Sequence, residues 1–173
     1  EVTDFVEISY RNIEPTERFI RLVGSGFIMN SSLYNPRESS FTMAKLSIRA
    51  LTKGFQFGML SLESQFLNGN DFFEPRIDGM HWITPKWIGP TVTISTDYRK
   101  KFAIDIAYTK GFVEDPENEW GVMFGRISPR FRINDRLNFI YDCSFDNKYD
   151  EKGFTALIND VDDEEVSLFA KRD

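Results

Sequence analysis

The chain has one cysteine and one histidine in 173 residues, and this scarcity excludes several classes of site. Cys143 alone forms no intrachain disulfide and no cysteine-based metal cluster. Any Ser-His-Asp or Cys-His arrangement would depend on His81, and no Gly-x-Ser-x-Gly nucleophile motif accompanies it. We therefore assign no catalytic residue, no metal ligand and no cofactor, and we expect a module that is not an enzyme.

Long apolar runs and concentrated basic charge are also missing. No stretch approaches the roughly 18 to 20 consecutive apolar residues of a spanning helix, although strands of a membrane barrel need only about 9 to 11 residues. The 21 Lys and Arg residues are scattered and are outnumbered by 27 Asp and Glu, which gives a net charge of −6. Because phosphate binding requires a concentrated basic surface, nucleic acid is not an expected partner.

What the chain has instead is a two-residue alternation, clearest in TVTISTDYRKKFAIDIAY at 91–108. Val92 and Ile94 fall on one face of a predicted hairpin with Ile104 and Ile106, while small and polar side chains fall on the other. A soluble barrel would turn the apolar face inward, and a membrane barrel would turn it towards lipid. This stretch alone leaves both arrangements open.

Strand-like runs recur along the whole chain, and the connections between them alternate between short and long. The pattern predicts a single segment, residues 1–173, with about 8 to 9 strands. Alternation of this kind puts the short turns on one rim and the long loops on the other, as in an antiparallel up-and-down transmembrane β-barrel. The short turns are expected at 13–17, 52–54, 99–101 and 134–136, and the long loops at 30–40, 67–88, 111–119 and 147–155.

The strand faces favour lipid on the outside. Three arginines share one face of GVMFGRISPRFRI at 121–133, and unpaired charges are too costly to bury in a dry core. A hydrated lumen would accept them beside carboxylates from other strands, either as selectivity residues or as a fixed salt-bridge ladder. The predicted lumen-lining residues are Arg126, Arg130, Arg132, Asp97, Asp105 and Asp142.

A soluble antiparallel sheet with one face in water would show the same alternation. Two observations weigh against it, since the strands look long, at about ten residues against a usual five or six, and aromatic residues gather near strand ends. Tyr98 and Phe102, which flank one short turn, are expected to mark a membrane interface.

The long loop 67–88 carries the other candidate residues. Its two tryptophans could stack on sugar rings. Its carboxylates could bind calcium or cleave glycosides, but salt bridges that fold the loop over a barrel mouth are favoured, because nothing in the sequence fixes the carboxylate spacing. The possible ligand-binding or loop-binding residues are Trp82, Trp87, Asp71, Glu74 and Arg76.

Four stretches resemble, in order and spacing, the C-terminal barrel module of a bacteroidete outer-membrane family, the domain-of-unknown-function family 5916. They are NDFFEPRIDG (70–79), STDYRKKFAIDI (95–106), SPRFRINDRLNFIYDCSFDN (128–147) and FAKRD (169–173). The resemblance covers most of residues 35–173. It implies a piece of a larger barrel in the outer membrane of a Gram-negative bacterium, usually preceded by a carbohydrate-binding domain similar to family 9 modules. The hydrolase label sometimes given to this family comes from that preceding half.

These observations lead to one expected function and two alternatives. We expect a non-enzymatic outer-membrane module that anchors a larger surface assembly or takes part in its transport or secretion. Its expected partners are the lipid bilayer and other outer-membrane or periplasmic proteins. The first alternative is a surface protein that binds or hydrolyses a glycan through loop 67–88, and the second is a soluble carrier similar to lipocalins.

Overall fold

The computed structural model describes residues 1–35, 37–114, 121–149, 151–159 and 165–172, and the regular structure in these ranges is β-strand. A helix long and apolar enough to cross a membrane is not found among them. The strands are β1 Val2–Asn12, β2 Phe19–Ser32, β3 Ser39–Thr52, β4 Phe57–Gln65, β5 Gly69–Asp71, β6 Trp82–Thr84, β7 Trp87–Ser95, β8 Phe102–Val113, β9 Gly121–Asn134, β10 Leu137–Ile140, β11 Cys143–Tyr149, β12 Glu151–Asn159 and β13 Glu165–Arg172.

One antiparallel sheet of nine strands dominates the fold, in the order β1-β2-β3-β4-β7-β8-β9-β10, with β11 also paired to β9. Two small hairpins, β5–β6 and β12–β13, lie outside it. Within the described ranges no strand pairs with the outer edge of β1, nor with that of β10 and β11. The structure confirms the all-β antiparallel class, and the sheet that it shows is open and not a closed barrel.

The connections largely follow the predicted alternation. Short turns join β1 to β2, β3 to β4, β7 to β8 and β9 to β10, at 13–18, 53–56, 96–101 and 135–136. The longest connection, residues 66–86, is called the rim loop below and contains β5 and β6. The loop expected at 30–40 narrows to 33–38, and much of the one expected at 111–119 lies outside the described residues.

The loop expected at 147–155 is wrong, because β11 continues to Tyr149 and β12 begins at Glu151. The polar letters NKYDEKG suggest a loop, but Lys148 and Tyr149 pair with Val122 and Gly121 of β9. Backbone pairing to a neighbouring strand does not require apolar side chains, so composition alone misplaced this boundary.

The registers match the predicted strand faces. In the hairpin at 91–108, Ile94 lies opposite Ile106, and Ser95 lies opposite Asp105. A slip of one residue would exchange the two faces, so this register carries the apolar side chains of each strand onto the same side.

One side of the sheet, the apolar face, exposes large hydrophobic side chains. A representative in-register row crosses β3, β4, β7 and β8 through Ile48, Leu60, Val92 and Tyr108, and these side chains are 42–58% exposed. No charged residue of β3, β4 or β7 lies on this face. The apolar face is therefore a continuous surface and not a scatter of single exposed residues.

The other side, the polar face, carries hydroxyl groups and ion pairs together with some Met and Phe residues. Ser25 and Ser47 are hydrogen-bonded at 2.9 Å between β2 and β3, and Thr91 and Thr109 at 2.8 Å between β7 and β8. Apart from glycines and Pro75 in the rim loop, Ala103 is the one buried apolar residue in the part of the chain that the structure describes. In the described strands, most large apolar side chains are therefore at least partly exposed.

Candidate functional site

An ion pair joins two of the predicted lumen residues on the polar face. The Nε of Arg126, on β9, donates to Oδ1 of Asp142 at 2.9 Å, and its Nη2 donates to Oδ2. Ser128 donates its hydroxyl to the same carboxylate at 3.3 Å. Asp142 lies in the break between β10 and β11, so this irregularity in the sheet edge places the carboxylate beside the arginine.

Tyr98 brings three further predicted residues together. Its hydroxyl donates to Asp105, the Arg130 guanidinium lies 4.6 Å from its ring centre, and Arg132 donates to its backbone oxygen at 3.3 Å. Burial raises the pKa of Tyr98, and the hydrogen bond to Asp105 raises it further, so the phenol remains a donor.

The Tyr98 side chain does not continue the apolar row of Val92 and Ile94. Strand β7 ends at Ser95, and the turn that follows leaves the two-residue alternation, which turns the ring towards the polar face. Phe102 does lie on the apolar face, where its ring meets that of Phe131 at 5.9 Å.

Asp97 belongs to a separate arrangement in the same turn. Its carboxylate accepts hydrogen bonds from Nε of Arg99 at 2.9 Å and from the backbone N–H of Arg99 at 3.0 Å. The Arg99 guanidinium lies 3.3 Å from the ring centre of Phe55, which belongs to another short turn. Nothing in the local sequence pattern indicates this contact between two turns, and it was missed from sequence.

Acid should weaken this turn. The side-chain and backbone hydrogen bonds from Arg99 lower the pKa of Asp97 from 3.8 to about 2. A depressed folded-state pKa means that the stabilisation is present above about pH 4 and is lost as the pH falls through about 2. We expect hydrogen exchange at residues 96–101 to rise in Asp97→Asn at pH 6, and to differ less from wild type near pH 2.

The exposed acid Asp135, in the turn between β9 and β10, provides the matched control. Asp135→Asn should leave exchange at 96–101 unchanged at both pH values. Equal exchange in wild type and Asp97→Asn at pH 6 would show that the Arg99 interaction does not order the turn.

The rim loop is attached to the long-loop end of the sheet. The Asn70 side chain donates to the Ser39 carbonyl at 3.1 Å, and Gln65 donates to the Thr84 hydroxyl at 3.1 Å. Glycine is required at position 69, because a Cβ there would lie 2.8 Å from the Ser40 carbonyl oxygen. The absence of a side chain at Gly69 lets β5 lie against the start of β3.

The hairpin β12–β13 packs against the outer part of the rim loop. Trp82 stacks on Phe169 with ring centres 4.0 Å apart. The Phe154 N–H donates to Oε1 of Glu74 at 2.9 Å, and the Arg76 guanidinium lies 4.3 Å from the Phe154 ring centre. The structure thus brings three of the predicted loop residues together at the hairpin.

The other two predicted loop residues have different environments. Oδ1 of Asp71 accepts the N–H groups of Phe73 and Glu74 at 2.8 and 2.9 Å, which closes a local turn. Trp87 begins β7 and packs over Gly89, where a Cβ would lie 3.3 Å from its ring. The two tryptophans therefore do not form a single stacking platform.

A cavity of about 570 Å³ lies between the rim loop and the polar face. Trp82, Trp87 and Phe41 line it with Gln65, Asn70 and Ser40. The Ser40 hydroxyl is buried and has no hydrogen-bond partner among the described residues. Phe41, Ser40 and Gln65 were missed from sequence because only the tertiary fold brings the ends of β3 and β4 to the rim loop.

The ring of His81 packs near that of Phe72, with the two ring centres 5.5 Å apart. Among the described residues no group of three or more His, Cys, Asp or Glu side chains is arranged to hold a metal ion.

A family model described as a domain of unknown function, DUF5916, matches residues 1–173. The match therefore includes residues 1–34, which lie outside the four stretches that carry the resemblance. No curated protein matches the chain, and no solved structure does.

Proposed function

The chain belongs to the DUF5916 family, and from this premise we propose that it is a barrel module of the outer membrane. There it anchors a larger surface assembly or passes material for that assembly. The apolar face is the observation that carries the proposal. In water an apolar surface that crosses β3, β4, β7 and β8 would be costly and prone to association, whereas lipid would cover it at no such cost.

Strand length supports the same environment. β2, β3 and β9 each have 14 residues and β8 has 12, which exceeds the roughly 9 to 11 residues that a tilted strand needs to cross the hydrocarbon layer. Phe102 and Phe131 lie on the apolar face near the short turns. An aromatic belt at that position would lie at one of the two membrane–water interfaces.

The polar face would then line a hydrated lumen. Arg126 and Asp142 form a charge pair there, and Lys45 and Glu63 form a second pair between β3 and β4. Paired charges of this kind are compatible with a narrow aqueous interior but cannot face lipid. The soluble-carrier alternative is less well supported, because it would need the large apolar side chains on the inside.

The open edges require additional strands in this proposal. Backbone groups without partners cost several kcal/mol each in hydrocarbon, so β1 and β10–β11 must pair with further strands to close the barrel. A larger barrel, with this chain as one part, satisfies that requirement.

Membrane extraction tests the proposal directly. We expect the full-length protein to remain in the membrane pellet after washing at pH 11 and to enter solution only with detergent. A periplasmic protein from the same cells should be released by the wash and serves as the control. Quantitative release of the full-length protein without detergent would overturn the membrane assignment.

A further inference from the structure

We propose that the rim cavity, the space of about 570 Å³ beneath the rim loop, binds a neutral oligosaccharide against the side chain of Trp87. Its volume lies within the range of about 300–1,000 Å³ that is usual for small-molecule sites. The proposal depends on the walls of the cavity and not on the membrane assignment, so each can fail without the other.

The cavity has aromatic surface and unused polar groups on the same walls. The ring of Trp87 can lie along β7 because Gly89 has no side chain, which leaves Trp87 lining the cavity. Trp82 is less suited to stacking, since Phe169 already covers one face of its ring. Sugar rings present flat C–H surfaces, which pack well against aromatic side chains.

The polar groups of the cavity lining that make no hydrogen bond within the described protein are mostly acceptors. Gln65 and Asn70 use their amide N–H groups on Thr84, Pro85 and Ser39, so their side-chain oxygens remain. The Ser40 hydroxyl has no partner in the described part of the chain, and Ser40 is only 8% exposed. The Ser40 hydroxyl oxygen is itself inaccessible to solvent, so a ligand would hydrogen-bond to the side-chain oxygens of Gln65 and Asn70 instead.

The charge of the lining selects against anions. Glu1, Asp71 and Glu74 contribute three side-chain carboxylates, and Lys152 contributes one ammonium group. A phosphate or sulfate ligand would meet net repulsion, whereas a hydroxyl-rich neutral ligand can donate to the oxygens of Gln65 and Asn70. The acceptors and aromatic surface together therefore favour an uncharged sugar chain.

Binding can be measured with the full-length protein in detergent, using glucose, xylose and mannose hexasaccharides as probes in isothermal titration calorimetry. We expect at least one probe to bind and Trp87→Ala to weaken its binding by about tenfold. Gly89→Val should have a similar effect, because its side chain would displace the Trp87 ring. Ile88→Ala, the adjacent change on the apolar face, should leave binding unchanged.

Ser40→Ala provides a second control. It removes a buried hydroxyl that a ligand cannot reach, so it should leave the free protein as stable as wild type, or more stable, and leave oligosaccharide binding unchanged. No binding of any probe at 10 mM, or binding that survives both Trp87→Ala and Gly89→Val, would overturn the proposal. Binding of tetralysine in place of the sugars would overturn the assignment to a neutral ligand.

Discussion

Val92→Arg should lower the free energy of unfolding in a lipid bilayer by about 2–4 kcal/mol, whereas Thr93→Arg should lower it by less than about 1 kcal/mol. Val92 lies near the middle of β7 on the apolar face, between Leu60 and Tyr108, and is 42% exposed. Thr93 lies on the polar face, half-buried. An arginine at position 92 would enter hydrocarbon, and one at 93 would enter the hydrated side.

Reversible urea unfolding of the full-length protein in lipid vesicles measures both values. In a soluble sheet, the exposed position 92 would tolerate arginine within about 0.5 kcal/mol, so the size of the difference separates the two environments. Equal effects of the two changes, or a larger effect at position 93, would contradict the assignment of the apolar face to lipid.

The structure also determines which control is suitable. The alternation alone suggests comparing Ile104→Arg with Ala103→Arg, because these neighbours point to opposite faces. Ala103 is 1% exposed and lies opposite Arg130, so an arginine there would meet packed side chains and a like charge. Thr93 avoids this problem because it is only half-buried.

Much of the sheet follows from local pattern. Val92, Ile94 and Ile106 were assigned to one face from their spacing alone, and the registers of β7 and β8 confirm it. A two-residue period reports side-chain direction reliably wherever the backbone stays extended. It fails in the turn after Ser95, where Tyr98 leaves the alternation and contacts Asp105.

The candidate site was less predictable, because its contacts join segments far apart in the chain. Arg126 was expected on the polar face, but its pairing with Asp142 depends on the break between β10 and β11. The rim loop offers a similar case, since Glu74 and Phe154 are 80 residues apart. Such contacts have no local signal, and only the assembled fold selects among the available charges and aromatic rings.

Trp82→Ala should release the β12–β13 hairpin from the rim loop. Loss of the Trp82–Phe169 stack should cost about 2 kcal/mol, which corresponds to about a thirtyfold rise in hydrogen exchange of the β12–β13 amides. A two-stranded hairpin is marginally stable by itself, so one that is released should also lose much of its strand pairing. Hydrogen exchange followed by mass spectrometry resolves the hairpin from the main sheet.

Ile83→Ala is the matched control, because Ile83 neighbours Trp82 on β6 but is 58% exposed. It should leave hairpin exchange at the wild-type rate, and exchange in β7 and β8 should be unchanged in both variants. Phe169→Ala should reproduce the effect of Trp82→Ala. The free-energy cost of the double variant should be smaller than the sum of the two single costs, since both changes remove the same contact. Fully additive costs would mean that the stack does not hold the hairpin, leaving Glu74 and Arg76 as its main attachment.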